Sequence, residues 1–254
     1  MEFPFDINQL FPERISVLDH TLEAGGKFAG RPDLQACCAT VIDELGKASA
    51  RAQQLPAPVT SASKMKSQRH QLYLLKDGES NGGRGVVTGF LKIGYKKLFL
   101  LVSHHVAYCF VPRVVVWLSD VLFEILEVCP LSCVQDLQSV HVEAEPLCVL
   151  DFYIVESLQR HGYGLELFDF MLQDKNLDPV LMAYDRPSPK LLSFLANHYH
   201  LTENVPQVNN FVVFKSFFLN RSGNIFALFS WVLLLYILSG DNAAFPSAFI
   251  AIVS

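Results

Sequence analysis

Gln159, Gly162 and Gly164 form the pattern Gln-x-x-Gly-x-Gly, directly after a β-rich run at 147–154 and directly before a segment of helical spacing. Glycines at a strand-to-helix turn let the backbone approach a ligand closely. The unpaired N–H groups and the dipole at a helix start suit a pyrophosphate, and Arg160 adds a charge for a phosphate oxygen. Taken alone, a loop with two glycines serves equally well as a bare structural turn. The three-glycine dinucleotide fingerprint is missing, as is the Gly-Lys-Ser/Thr ending of a Walker loop. Cys37, Cys38, Cys109, Cys129, Cys133 and Cys148 follow no disulfide framework. Cys129-x-x-x-Cys133 with His104 and His105 meets no structural zinc spacing, so scattered buried thiols and no metal are expected. His161 reads as a loop contact and His70 as a surface side chain. On residue type alone, Cys148 is a buried thiol, Asp185 equally a helix-capping carboxylate, and Gln53 a solvated helix residue.

The elements that must position these residues are legible in outline. Leu34, Cys38, Val41, Leu45, Ala48, Ala52 and Leu55 make one apolar stripe and predict a helix over 33–55, stopped by Pro56 and Pro58. Residues 1–19 read as short extended pieces, and 61–67 as a polar, basic connector. Strands are predicted at 71–75, 85–93, 97–101, 147–154, 180–184 and 211–214, with turn chemistry at Asp77-Gly78 and Asn81-Gly82-Gly83. Helical spacing covers 165–173, and Ser188-Pro189 predicts an N-cap with proline in the first turn of a helix running to about His198. A meander followed by strand–loop–helix–strand–helix–strand is a mixed α/β layout.

Composition narrows the function classes. The 254 residues carry a formal net charge of −5 and a pI near 5.9, which argues against a general nucleic-acid binder. The N-terminus has neither the basic region nor the apolar run of a secretory signal, so a reducing compartment is expected. The mean hydropathy of +0.28 is high, and two stretches hold much of the excess. Residues 102–135 carry Arg113, Asp120, Glu124 and Glu127 as their only Lys, Arg, Asp or Glu, and residues 222–254 carry only Asp241.

Eight segments together cover residues 1–101 and about 136–218 in order: FPERI at 11–15, IDELGKAS at 42–49, GYKKLF at 94–99, EPLC at 145–148, DFY at 151–153, QRHGYG at 159–164, DRPS at 185–188 and VPQVNNF at 205–211. The glycine loop is similar to that of the Gcn5-related N-acetyltransferases, and the set of segments resembles the α-tubulin N-acetyltransferases. The resemblance implies a mixed, mostly antiparallel sheet flanked by helices, within an acetyltransferase domain over 1–218. It implies transfer from acetyl-coenzyme A to the side-chain amine of a luminal-loop lysine of α-tubulin, directly within a ternary complex. The cofactor would meet Phe152, Tyr153, Ile154, Gln159, Arg160, His161, Gly162, Tyr163, Gly164 and Leu165 on one side, and Ser188, Lys190 and Asn197 on the other. Cys148 and Asp185 match the family's catalytic pair and Gln53 its essential glutamine. Leu165 departs from members that carry a basic residue there. The implied setting is cytoplasmic and cytoskeletal (microtubules, the ciliary axoneme and the spindle), with the chain acting as a monomer. Some of Lys64, Lys66, Arg69, Lys92, Lys96 and Lys97 are expected to face the acidic microtubule surface.

The two apolar stretches stand outside the resemblance. Residues 102–135 read either as a buried or partner-binding insertion or as translation through an unspliced intron, since Val102 has a codon beginning GU and Gln135 is compatible with CAG. For 219–254 the readings are a helix packed on the domain, read-through sequence, or a membrane anchor, although its apolar run of 14 residues at 225–238 is short of the roughly 20 needed to span. Two rivals follow: a microtubule-docking form impaired by the insertion, and a membrane-associated protein using the tail.

Overall fold

A computed structural model describes residues 1–22, 32–102, 140–205 and 207–221. The contacts divide the chain into two units, Met1–Phe217 and Phe218–Ser254. Almost all of the second unit lies outside the described residues, as do the expectations for 103–135 and for the apolar tail.

The elements in order are α1 (Ile7–Leu10), β1 (Ile15–Leu18), α2 (Pro32–Ala52), α3 (Ala62–Ser67), β2 (Gln71–Asp77), β3 (Val86–Tyr95), β4 (Leu98–Val102), β5 (Val140–Ala144), β6 (Leu147–Ile154), α4 (Tyr163–Lys175), β7 (Ala183–Asp185), α5 (Pro189–Tyr199), β8 (Asn204–Val205), β9 (Phe211–Phe214) and α6 (Lys215–Arg221). Among the described residues, seven strands form one sheet in the order β1-β2-β3-β6-β7-β9-β8, and β4 and β5 form a separate two-stranded sheet. Among the described residues every pairing is antiparallel except β6 with β7. This is the expected mixed, mostly antiparallel sheet with helices.

Each sheet face has its own core. On one, α2 and α3 bring Val41, Ile42, Leu45 and Met65 onto Leu72, Leu74, Phe90 and Tyr153. On the other, α4 and α5 bring Leu167, Phe168, Met171 and Leu195 onto Tyr73, Leu91, Ile93 and Val149. The alternation along β3, with Phe90 on the first face and Leu91 on the second, is what a strand of period two buried on both faces must show.

Three expectations are corrected. Residues 62–67 form a helix, not a connector, because Ser61 caps it by accepting a bond from Lys64 N–H and Met65 anchors it in the core. The N-terminal piece is a short helix capped by Asp6, followed by β1. The helix expected to reach Leu55 ends at Ala52; Gln54 turns to φ 56°, and Leu55 N–H donates back to Ala50 O at 2.9 Å, the αL ending more often built on glycine.

Candidate active site

β6 and β7 pair in parallel at only two positions, Cys148 with Ala183 and Val149 with Tyr184. β6 then runs on to Ile154 while β7 ends at Asp185. Among the described residues the far half of β6 therefore has no strand partner on that side.

At the far end of β6 lies the glycine turn. Gln159 is tied back to the strand, its Nε2 donating to Ile154 O at 2.9 Å. Arg160 and Gly162 both take positive φ, 67° and 86°, a sharp reversal that glycine accepts without strain. Gly162 then caps α4. A Cβ at Gly162 would meet nothing within 4 Å, and one at Gly164 would lie at ordinary contact, 3.5 Å from Phe152. Packing among the described residues leaves space over the turn, and the first N–H groups of α4 have no intrahelical acceptor. These residues fit a pyrophosphate. His161 is the loop contact expected, its Nδ1 2.9 Å from Gln159 O. Arg160 and His161 are exposed, and Tyr163, Gly164 and Leu165 are half-buried.

Phe152 faces α4 and α5 within an aromatic group, with ring centroids 5.9 Å from Phe168 and 5.7 Å from Phe194. Tyr153 points to the opposite face, into the core beneath α2, and its hydroxyl donates to Glu156 at 2.7 Å. On the second flank, Ser188 caps α5 as expected, accepting from Leu191 N–H at 3.2 Å, with Pro189 in the first turn. Lys190 and Asn197 are exposed on the same helix.

At the near end of the parting the strands bring Cys148 and Asp185 to one face, since Asp185 follows two residues after Ala183, the partner of Cys148. Asp185 lines a cleft of about 260 Å³ with Ala57, Pro58, Val59, Lys64, Gln68, His70, Lys92, Lys96, Leu150 and Arg186. Asp185 Oδ1 accepts from Arg186 Nε at 3.1 Å. Cys148 is fully buried and its Sγ contacts Pro146 O at 3.4 Å. Burial pushes its thiol up to about 12, against the pull of Lys96 and with the Asp185 charge adding. It is a neutral thiol at physiological pH.

The basic set read along the sequence does not behave as one solvated face. Lys92 is only 2% exposed; its ammonium donates to Val59 O at 3.2 Å, and burial brings it down to about 8 despite nearby Asp151. Lys97 pairs instead with Glu143 at 2.6 Å. The expectation for His70 is overturned. It is 7% exposed and packs against the backbone of Gly94, where a Cβ would fall 2.3 Å from its Cδ2. Its Nδ1 is buried without a hydrogen-bond partner among the described residues. Burial, then Lys92 and Lys96, hold the imidazole down at about 4, so it is neutral at physiological pH.

Gln53 does more than sit on a solvated helix. Its Nε2 donates to Ser49 Oγ at 2.8 Å and to Asp151 Oδ1 at 3.0 Å. Ser49 donates to the same oxygen at 2.8 Å, and Thr60 to Oδ2 at 2.6 Å. Sequence reasoning missed Ser49, Thr60, Asp151 and Lys92 as members of one group. Among the described residues no three His, Cys, Asp or Glu side chains gather as a metal site, and no helix is long and apolar enough to cross a membrane. Cys129, Cys133, His104 and His105 lie outside the described residues.

A glycine turn with room for a pyrophosphate lies at one end of two parted strands, and an acid and a thiol lie at the other. The chain belongs to the acetyltransferase family described as GNAT acetyltransferase, Mec-17, whose sequence profile matches residues 3–115 and 133–227. It is similar to alpha-tubulin N-acetyltransferase 1 of Danio rerio, 59% identical over 222 residues, which cover 87% of this chain and 63% of that protein. It is 39% identical to the alpha-tubulin N-acetyltransferase of Trichoplax adhaerens over 86% of this chain and 82% of that one. To the enzyme of Aedes aegypti it is also 39% identical, over 87% and 70%. The chain thus spans a little under two thirds of its zebrafish relative.

Proposed function

We propose that the chain transfers the acetyl group of acetyl-coenzyme A to the side-chain amine of a luminal-loop lysine of α-tubulin in microtubules, directly within a ternary complex. The observation that carries this reading is the parting of β6 from β7 after two residue pairs, with the glycine turn at one end and Asp185 above Cys148 at the other. When bound, the carrier's thioester supplies the activated acetyl group. The turn at 159–164 and the start of α4 hold the pyrophosphate, with Arg160 adding one charge, and Ser188, Lys190 and Asn197 form the second flank.

A lysine amine attacks only after losing a proton, and its reference pKa is about 10.4. The cleft offers two aids. Asp185 accepts the proton or holds the ammonium before it leaves. Lys64, Lys92, Lys96 and Arg186 around that carboxylate favour the neutral form of an entering amine, because like charges disfavour protonation. The same cations suit the acidic surface of a microtubule. Cys148, buried as a neutral thiol whose S–H is donated to Pro146 O at 3.4 Å, does not serve here as a nucleophile.

The test is acetylation of polymerised microtubules by the whole chain and by a form lacking 102–135, with Cys148→Ala and Asp185→Asn alongside. Activity in both forms, lost on Asp185→Asn, is the expected result. Activity in the shortened form alone would make this chain an impaired, docking member of the family. No transfer by either folded form would overturn the substrate assignment.

A further inference from the structure

We propose that Asp151 is a positioning residue that fixes which way round the Gln53 amide stands, so that its carbonyl oxygen is the atom offered to the acceptor amine. The proposal rests on the acetyltransferase reading above and names a residue through which that site is built.

The geometry begins with parity. Cys148 and Asp151 are three residues apart on β6, and in a regular strand an odd separation places side chains on opposite faces. The pairing with β3 does not run regularly. Gly94 opposes Cys148, Ile93 opposes Val149, and Lys92 opposes Asp151, so Leu150 is an extra residue. A bulge of this kind re-aims the side chains beyond it. Asp151 is thereby turned to the face of Cys148 and Lys92, beneath the end of α2. A carboxylate there is costly: the residue is 6% exposed, and burial raises its pKa against the hydrogen bonds it receives and the Lys92 charge.

The hydrogen bonds then settle the amide. A carboxylate only accepts, and a serine hydroxyl has one proton to give. Ser49 spends that proton on Asp151 Oδ1, so toward Gln53 its oxygen accepts. Both neighbours of the Gln53 side chain, Ser49 Oγ and Asp151 Oδ1, therefore require N–H, and Nε2 supplies it to each. Oε1 is the atom left for a partner outside. Gln53 is exposed just beyond the last residue of α2, and its link to the cleft is Asp151, whose neighbour Lys92 lines the cleft with Ala57, Pro58 and Val59. A carbonyl oxygen beside that cleft accepts an N–H from a primary ammonium or amine, whereas an NH2 group would meet an ammonium with no acceptor and would occupy the lone pair of a neutral amine.

Three variants and one spectrum test this. Asp151→Asn puts one donor where the carboxylate had only acceptors, so an N–H from Gln53 is no longer required and the amide can turn over. KM for polymerised microtubules should rise about 10- to 100-fold, the range of a hydrogen bond to a charged group, with KM for acetyl-coenzyme A little changed. Gln53→Glu alone should lose most activity, because two carboxylates then face each other. The double variant Gln53→Glu with Asp151→Asn restores a donor inside and an oxygen outside, and should recover microtubule KM relative to either single change. A merely structural role for Asp151 predicts additive losses, and that pattern overturns the proposal. The independent readout is the ¹⁵N–¹H signal of the wild-type Gln53 side-chain amide. Gln53 and Gln9 are both exposed, so the two hydrogen bonds that hold Gln53 Nε2 should make its amide exchange with water more slowly than that of Gln9. Exchange equal to that of Gln9 overturns the proposal even if no variant folds. Slow exchange in a wild-type chain that transfers no acetyl group would support the anchoring while sinking the assigned reaction.

Discussion

Replacing Gly46 with alanine sets helix propensity against packing, and the structure decides the sign. Within α2 alone, alanine should stabilise by about 1 kcal/mol over glycine. Yet a Cβ at position 46 would lie 1.9 Å from Thr60 O and 2.9 Å from Thr60 C. Both are backbone atoms, so no side chain can swing away. Restoring ordinary contact needs a retreat of about 1.5 Å. Thr60 is 1% exposed and its hydroxyl lies 2.6 Å from Asp151 Oδ2, so a retreat of that size breaks the bond. Overpacking costs about 1–3 kcal/mol and a hydrogen bond to a charged acceptor about 1.5–3 kcal/mol. Less the propensity gain, Gly46→Ala should lower unfolding free energy by about 1.5–5 kcal/mol. Thr60→Val, which removes the hydroxyl without crowding, should show the hydrogen-bond part alone. Urea unfolding followed by far-UV circular dichroism measures both by linear extrapolation. A Gly46→Ala chain as stable as wild type, or more so, would refute the argument that α2 is held against residue 60 by backbone contact.

Arg160 holds φ at 67°, so Arg160→Gly should cost no stability in a melting experiment while weakening acetyl-coenzyme A binding about ten-fold by calorimetry; unchanged affinity would remove Arg160 from the phosphate site. Alkylation of the native chain at mildly alkaline pH, read by mass spectrometry, should label Cys37, which is partly exposed, and spare Cys38 and Cys148, whose thiols burial pushes up to about 12; fast labelling of Cys148 would contradict a neutral buried thiol. His70 titrates at about 4 when folded, against 6.5 ordinarily. Between those values the unfolded chain binds a proton that the folded chain does not, so stability falls as pH falls, by at most ~1.4 kcal/mol per pH unit. Urea unfolding at about pH 7 and about pH 5 should show wild type losing more than His70→Gln, and equal losses would mean the imidazole is not held neutral.

Periodicity made much of the fold legible. β6 and β9 occupy the spans read from their apolar runs, 147–154 and 211–214, and α5 begins at the Ser188 cap read from Ser-Pro. Misreadings arose where a short element lacks its usual signal. α3 is mostly polar and rests on one buried side chain, Met65, beside Ala62, too little for a pattern. The end of α2 turns through Gln54 at positive φ without the glycine that marks such endings. His70 is polar by type, and its burial comes from an approach to Gly94 across the strand pair β2–β3.

The candidate site divides along the same line. The glycine turn is a local object: residues 159–164 contain the geometry, so their spacing announces it. The polar group under α2 is not local. Ser49 and Gln53 are one helical turn apart, Thr60 lies in the following loop, Lys92 is on β3 and Asp151 on β6, and they meet only because Leu150 is an extra residue in the pairing with β3. Reading β6 with a regular period of two puts Asp151 on the face of α4 and α5, among Leu91, Val149 and Phe168, where an acid has no partner. A strand with one misplaced acid and a strand with one bulge are the same sequence, and what separates them is energetic. The bulge sacrifices regular pairing at one residue and gains for the carboxylate three hydrogen bonds and a nearby cation. A buried carboxylate without such partners costs several kcal/mol, which outweighs one disturbed rung of the ladder. An acid at a parity that would bury it unpaired is therefore itself a signal to look for a bulge, and a serine and a glutamine four residues apart at a helix end supply the donors that such a bulge would seek.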